Sequence, residues 1–281
     1  MKKRILTGDT PTGRLHLGHY VGTLENRVKL QNKFETFIIL ADLHSFTTLS
    51  ERPDKVREST IEVAMDNLTV GLDPKKVSIF VESQIPEIYE LAAIYSMLVS
   101  HARALRNPTI KDEIVMKGLG DTFSLGFVNY PLFQAADITC VGASLVPVGK
   151  DQLPHIEQTR EVVEKFNNLY GDVLVKPEGL VGKVGKLIGT DGNPKMSKSL
   201  GNTIELSASA EEVKKAVKAM YTDPGRIRAT DPGKVEGNPV FVYHDSFNPN
   251  KEEVADLKER YAKGAVGDVE VKERLTIALN N

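Results

Sequence analysis

The chain has 281 residues, 36 basic and 38 acidic side chains, a formal net charge of −2 and 41% hydrophobic residues. That is enough apolar material for one large domain, or one domain with a smaller appendage, and it excludes a disordered chain and a uniformly basic nucleic-acid coat. The single cysteine, Cys140, excludes an intramolecular disulfide framework, no Cys/His cluster suggests structural zinc, and the flanks Asp-Ile-Thr and Val-Gly suit a packed thiol.

Met1-Lys-Lys-Arg4 resembles the basic start of a secretion signal, but only Ile5-Leu6 follows before polar residues. The longest apolar run, Phe37 to Ala41, is too short to span a bilayer. Together these predict a soluble, cytoplasmic protein with no membrane partner. Arg4–Gly8 reads as a short strand, and Tyr20, Val21, Leu24 and Val28 recur at helical spacing after Gly18. Phe37–Ala41 predicts a strand covered on both faces. Pro53 opens a helical pattern to Val70, which Gly71-Leu-Asp-Pro74 stops. Then follow a strand at Val77–Val81, a helix from Pro86 to Ser100, a strand at Leu145–Val148 and a helix from Gln152 to Asn167.

This succession predicts an α/β fold, a Rossmann-type parallel sheet with crossover helices. Ligands of such sheets sit at the carboxyl ends of the strands, where Thr7-Gly8, Ala41-Asp42 and Val148-Gly149 fall. Glycines cluster from Gly179 to Gly192 and predict a mobile junction. The division expected is residues 1–184 as a catalytic domain and 185–281 as a smaller helical one. The latter shows an amphipathic helix over Ala210–Tyr221, a turn region rich in Pro and Gly, and a helix from Lys251. There is no internal repeat and no low-complexity tract.

Two segments carry most of the chemistry. In Pro11-Thr-Gly-Arg-Leu-His-Leu-Gly-His19 a strand and a turn lead into a helix, whose amino terminus presents N–H groups suited to phosphate. His16 and His19 lie three apart on one face, and Gly18 leaves room for a flat purine on the backbone. The plainer alternative is a helix cap with two surface histidines. In Lys195-Met-Ser-Lys-Ser199 two lysines with interleaved hydroxyls suit a clamp on a leaving diphosphate, against the plainer reading of a solvated basic loop. No Walker A loop and no G-x-G-x-x-G after a strand is present.

As an ordered pair, these segments resemble the HIGH and KMSKS signatures of class I aminoacyl-tRNA synthetases. Three blocks narrow the likeness to the bacterial tryptophanyl-tRNA synthetases: Tyr130-Pro-Leu-Phe-Gln-Ala-Ala-Asp-Ile138, Val146-Pro-Val-Gly-Lys-Asp-Gln-Leu-Pro-His-Ile-Glu-Gln-Thr-Arg160 and the run from Gly189 to Asn202. The resemblance extends from Arg4 to about Tyr243.

It implies that tryptophan and ATP form tryptophanyl-adenylate and diphosphate, and that tryptophan then passes to the 3′ end of tRNA(Trp). It implies His16, His19, Lys195 and Lys198 as the catalytic groups. ATP contacts are implied at Thr10, Pro11, Thr12, Gly18 and His19, at Gly149, Lys150 and Asp151 by the ribose, and at Lys111. Leu187 and Lys195, Met196, Ser197, Lys198 and Ser199 are implied to close over adenine and phosphates. Asp137 is expected to accept the indole N–H, Tyr130 and Gln152 to hold the ammonium and carboxylate, and Gln134 and His44 to line the same pocket. For Asp137 the plainer alternative is a paired helix carboxylate, and for His44 a packed strand-end histidine. Mg²⁺ is expected to arrive with ATP, and a homodimer is implied.

Two departures from the family stand out. Its members usually continue for several dozen residues beyond the equivalent of Asn281, in a helical part that contributes to anticodon recognition. Some bacterial members bind an iron–sulfur cluster in the region matching Gly237 to Val271, but no cysteine lies there, so no cluster is expected. Residues 251–281 carry six basic and seven acidic side chains, with no basic stripe for tRNA. Tyrosyl-tRNA synthetase shares the fold and both signatures, but the Gly149-Lys-Asp-Gln-Leu-Pro-His-Ile-Glu-Gln-Thr-Arg160 block favours tryptophan. A small nucleotidyltransferase is disfavoured by the second signature, and a non-catalytic tryptophan-binding paralogue stays open.

Overall fold

The computed structural model describes residues 2–116, 118, 120, 122–181, 187–194, 196–228 and 230–281, with only the backbone of Asp151 and Ser199. The chain divides into two units. The first takes Met1–Arg14 and Glu25–Val184; the second takes Leu15–Leu24, which carries the three-residue helix α1 (Leu17–His19), and Gly185–Asn281. The boundary at 184/185 expected from the glycine run leaves Leu15–Leu24 with the first unit.

In the first unit β1 (Arg4–Asp9), β2 (Glu35–Leu40), β3 (Val77–Val81), β4 (Leu145–Val148) and β5 (Glu178–Val181) form a parallel sheet. Its order is β3-β2-β1-β4-β5. The order reverses between β1 and β4, so the crevice that such sheets offer to ligands lies at the carboxyl ends of these two strands. Between the strands run α2 (Glu25–Leu30), α3 (Asp42–Leu49), α4 (Pro53–Thr69), α5 (Pro86–Leu98), α6 (His101–Ala104), α7 (Pro108–Met116), α8 (Leu125–Cys140) and α9 (Leu153–Tyr170). Pro53 and Pro86 open their helices, where a missing N–H costs nothing.

The apolar run of β2 reflects burial on both faces. Ile39 packs with Leu6, Ile88, Ala92 and Leu132, and Ile38 with Leu72 and Val77. Fully burying a side chain such as Ile38 contributes about 1.5–3 kcal/mol. Cys140 packs at the edge of the larger cluster, its thiol pushed up to about 12 chiefly by burial.

β5 corrects the expectation of a mobile junction starting at Gly179. Val146 of β4 pairs with Gly179 instead. A Cβ there would come 2.8 Å from Leu153 Cδ2, so the glycine lets the start of α9 lie against the strand. Residues 182–186, the middle of that expected junction, lie outside the described residues.

In the second unit an extended stretch before α1 crosses the chain at 204–206. His16 and Glu205 form an antiparallel bridge, Leu17 N–H donates to Ile204 O and Leu206 N–H to Leu15 O, both at 2.9 Å. The helix read from Gly18 onwards runs without a break through α1, a π-helical segment at Tyr20–Leu24, and α2. The core gathers Val213, Val217, Phe241, Tyr243, Leu257 and Leu275 from α10 (Ala210–Lys218), α11 (Pro239–Phe247), α12 (Lys251–Ala262) and α13 (Asp268–Asn280), with Leu17 and Met196 packed against it. Ser209 and Glu212 cap α10 reciprocally, as the Ser-x-x-Glu spacing dictates. Among the described residues no helix is long and apolar enough to cross a membrane.

The carboxyl end of β1 is clamped from below. Arg27 of α2, 2% exposed, donates to Asp9 Oδ2 at 2.5 Å and Oδ1 at 2.9 Å, to Gly8 O at 2.7 Å and to Asn67 Oδ1 at 3.1 Å. Taking one partner from a buried ion pair costs about 3–5 kcal/mol. Arg27→Met is therefore expected to lower the urea unfolding midpoint by a corresponding amount, and a loss below about 1 kcal/mol contradicts the clamp.

Candidate active site

In the second unit, His16 and His19 cap one another. His16 Nδ1 accepts the Gly18 N–H and His19 Nδ1 accepts the His16 N–H, each at 3.1 Å. The rings stand 3.8 Å apart at 49°. With its Nδ1 accepting, the neutral His16 ring carries its proton on Nε2. His16 is pulled down to about 3, first by burial and then by the positive fields of His19 and Lys198, so at neutral pH it is an uncharged donor.

This changes one expectation. The N–H groups at the start of α1 do not face outward for phosphate: Leu17 donates to Ile204 O, Gly18 to His16 Nδ1, and His19 and Tyr20 to His16 O. The donor this motif offers from His16 is its ring Nε2–H. Gly18 is required by close approach, because a Cβ would come 2.7 Å from Met196 Sδ and 2.9 Å from the His16 ring.

In the second signature Lys195 lies outside the described residues, as does the side chain of Ser199. Lys198 opens a 3₁₀ turn over Lys198–Leu200 and is half-buried. Asn202, 2% exposed, organises the loop: its Oδ1 accepts the Ser197 N–H at 2.9 Å, its Nδ2 donates to Asp191 Oδ1 at 3.0 Å, and its carbonyl accepts Thr190 N–H at 3.0 Å. Met196 packs against the core, and Leu187, expected over the adenine, is buried within it.

In the first unit, Thr10–Thr12 form a turn after β1, with Thr12 N–H donating to Thr10 O at 2.9 Å. Ser45 of α3, fully buried, donates to Pro11 O at 3.1 Å. Gly149 precedes a 3₁₀ turn over Lys150–Gln152 at the end of β4, where Lys150 is exposed. Lys111 is exposed on α7.

Tyr130, Gln134 and Asp137 fall at i, i+4 and i+7 on α8, one stripe of the helix. Asp137 is 7% exposed, and its Oδ1 has no hydrogen-bond partner among the described residues. Burial, and after it the nearby Glu82, hold this carboxyl well above the usual range. His44 meets the Tyr130 ring edge-on at 4.9 Å.

Tyr130 itself ends a buried relay. Asn107 Nδ2 contacts His155 Nδ1 at 3.1 Å, which places the His155 proton on Nε2, 3.1 Å from Tyr130 Oη. The Tyr130 hydroxyl then donates to Glu113 Oε1 at 3.2 Å. Asn107, Glu113, His155, Glu82 and Asn202 were not among the residues singled out by sequence. His155 and Asn202 stand inside the quoted blocks, but nothing in the chain order marks their partners.

The sequence model of the family described as tRNA synthetases class I (W and Y) matches residues 1–281. The tryptophan–tRNA ligase of Streptococcus pneumoniae serotype 4 is 54% identical over 282 residues, 98% of this chain and 83% of that protein. That of Clostridium longisporum is 52% identical over 279 residues, 98% of this chain and 82% of that one. The crystal structure of the Campylobacter jejuni tryptophanyl-tRNA synthetase complexed with ADP and tryptophan has a TM-score of 0.88 at 34% identity, covering 99% of this chain and 85% of the other.

The loop geometry generates a direct test. Asn202→Ala leaves the Ser197 N–H without its acceptor, a loss of about 1–3 kcal/mol for a buried group. Hydrogen exchange at the Ser197 amide is expected to accelerate about tenfold or more, and unchanged exchange contradicts the scaffold role.

Proposed function

This chain belongs to the class I aminoacyl-tRNA synthetases for tryptophan and tyrosine, and we propose that its reaction is that of a tryptophan–tRNA ligase. The carboxylate of tryptophan attacks the α-phosphorus of ATP, the bond to the β-phosphate oxygen breaks, and diphosphate leaves. Tryptophan then passes from the adenylate to the 3′ end of tRNA(Trp). The nucleophile belongs to the substrate, so the protein contributes positioning and charge stabilisation rather than covalent chemistry.

The observation that carries this reading at the level of residues is the paired-histidine face, read with Lys198 in the same unit. Neutral His16 donates from Nε2 to phosphate oxygens with His19 beside it, and Lys198, joined by Lys195, takes the charge growing on the diphosphate. Thr10, Pro11, Thr12, Gly18, Gly149, Lys150, Asp151 and Lys111 complete the ATP contacts, with Leu187, Met196, Ser197 and Ser199 beside the nucleotide. Mg²⁺ enters with ATP as part of the substrate.

On α8, a buried carboxyl oxygen without a donor among the described residues suits the indole N–H. Tyr130 and Gln152 hold the ammonium and carboxylate of tryptophan, with Gln134 and His44 beside them. The relay through His155 fixes the Tyr130 hydroxyl before the amino acid arrives. A site built around one buried acceptor discriminates strongly against a ring that lacks the matching donor. A homodimer belongs to the same proposal.

Tryptophan-dependent ATP–diphosphate exchange tests the residue roles. Lys198→Ala, and likewise Lys195→Ala, should slow adenylate formation by roughly 10²–10³-fold, the scale for one preorganised charge partner of a transition state. Unchanged rates mean that the loop is not the clamp. Asp137→Ala should raise the tryptophan KM far more than the ATP KM, and the opposite pattern overturns the assignment of the pocket.

A further inference from the structure

Between α6 and α7 the chain buries Asn107, whose side chain bonds in two directions. Its Oδ1 accepts the Thr109 N–H at 3.0 Å and so caps α7. A backbone N–H can only donate, which fixes the Asn107 oxygen on that side. Its Nδ2 therefore donates on the other, to Gln158 Oε1 at 2.7 Å and to His155 Nδ1 at 3.1 Å. His155 in turn donates from Nε2 to Tyr130 Oη, 3.1 Å away. The Tyr130 hydroxyl must send its own proton elsewhere, and Glu113 Oε1 accepts it at 3.2 Å. The direction of every bond in the chain is thus set by one main-chain donor.

The docking of α7 brings Glu113 to this task. Ile110, Glu113 and Ile114 fall at i, i+3 and i+4, one face of the helix. The two isoleucines pack with Phe123, Phe127 and Tyr130, while Lys111, Asp112 and Val115 are exposed. Glu113 is the acid on the packed side. A hydroxyl has one proton to give and two lone pairs to receive with. At Tyr130 the proton goes to Glu113 and one lone pair to His155, and the second lone pair has no donor among the described residues. Burial, and after it Glu113, push this hydroxyl well above its ordinary range, so the proton is retained.

We propose that Glu113 is a positioning residue for tryptophan recognition: by taking the Tyr130 proton it leaves that hydroxyl able only to accept from the amino acid, and so reserves it for the α-ammonium. The inference rests on the reading above that Tyr130 faces the amino acid. A carboxylate has no proton to offer and meets a lone pair there, so the bond direction set at Asn107 selects the ammonium end.

The test uses two ligands that each carry half of the amino acid. Tryptamine has the ammonium and no carboxylate; indole-3-propionate has the carboxylate and no ammonium. Their dissociation constants are measured by NMR titration, which needs no catalysis. Glu113→Ala frees the Tyr130 hydroxyl to turn its proton toward the ligand. Tryptamine is then expected to bind about tenfold more weakly, and indole-3-propionate within about twofold of the unaltered protein. Glu113→Gln keeps a carbonyl acceptor and should return tryptamine to within about threefold. Equal losses for both ligands in Glu113→Ala overturn the inference, as does Glu113→Gln behaving like Glu113→Ala. Tyr130→Phe separates the two layers. If it leaves tryptamine binding unchanged, the reading of Tyr130 fails and this inference with it. If it weakens tryptamine while Glu113→Ala does not, only the role of Glu113 fails.

Discussion

The site depends on the antiparallel bridge between His16 and Glu205. It draws Leu15–Leu17 out of the strand-to-helix path and pins it against 204–206 by two backbone hydrogen bonds of 2.9 Å. Both histidines of the first signature then belong to the unit that carries Lys198. The burial that follows strips His16 of its charge, and Lys198 reinforces the effect. Segments far apart in sequence thus become one electrostatic environment. A neutral imidazole already fixed as an Nε2–H donor needs no reorganisation when phosphate arrives, which is the property that makes such a group effective in a transition state.

The proposed amino-acid pocket is likewise built on a buried group, here a carboxyl. Asp137 is buried with one oxygen that has no partner among the described residues, and its carboxyl is raised by burial and by Glu82. Leaving a buried acceptor unmatched costs about 1–3 kcal/mol in the empty pocket. Under the proposed function, an indole N–H recovers that loss, and a ring without the donor does not. The Asn107–His155–Tyr130–Glu113 relay plays the complementary part, holding a hydroxyl in one orientation through partners that are themselves satisfied.

Much of this was legible in the sequence. The strands at Val77–Val81 and Leu145–Val148 and the helices opened by Pro53 and Pro86 are set by local pattern, and the structure has them where the pattern puts them. The parallel sheet follows from their alternation. β5 was not legible, because Gly179 belongs to a strand only through its pairing with Val146 and the approach of Leu153. The helix read after Gly18 is present over 17–30 with a π-helical segment at Tyr20–Leu24, while the bridge of His16 to Glu205 ahead of it was not legible, because no local signal reports a partner nearly two hundred residues away. Of the proposed site, the histidines, the lysines and Asp137 are the residues that type, spacing and family resemblance single out. Asn202, His155 and Glu113 are not among them, since their roles exist only through the Ser197 N–H and the Tyr130 hydroxyl.

The central claim is that a chain with this fold and these two faces activates tryptophan. Amino-acid-dependent ATP–diphosphate exchange on the unaltered protein, with tryptophan and tyrosine compared at equal concentration, tests it most directly. The account predicts exchange with tryptophan and none above background with tyrosine. Exchange driven by tyrosine, or by neither amino acid, contradicts it.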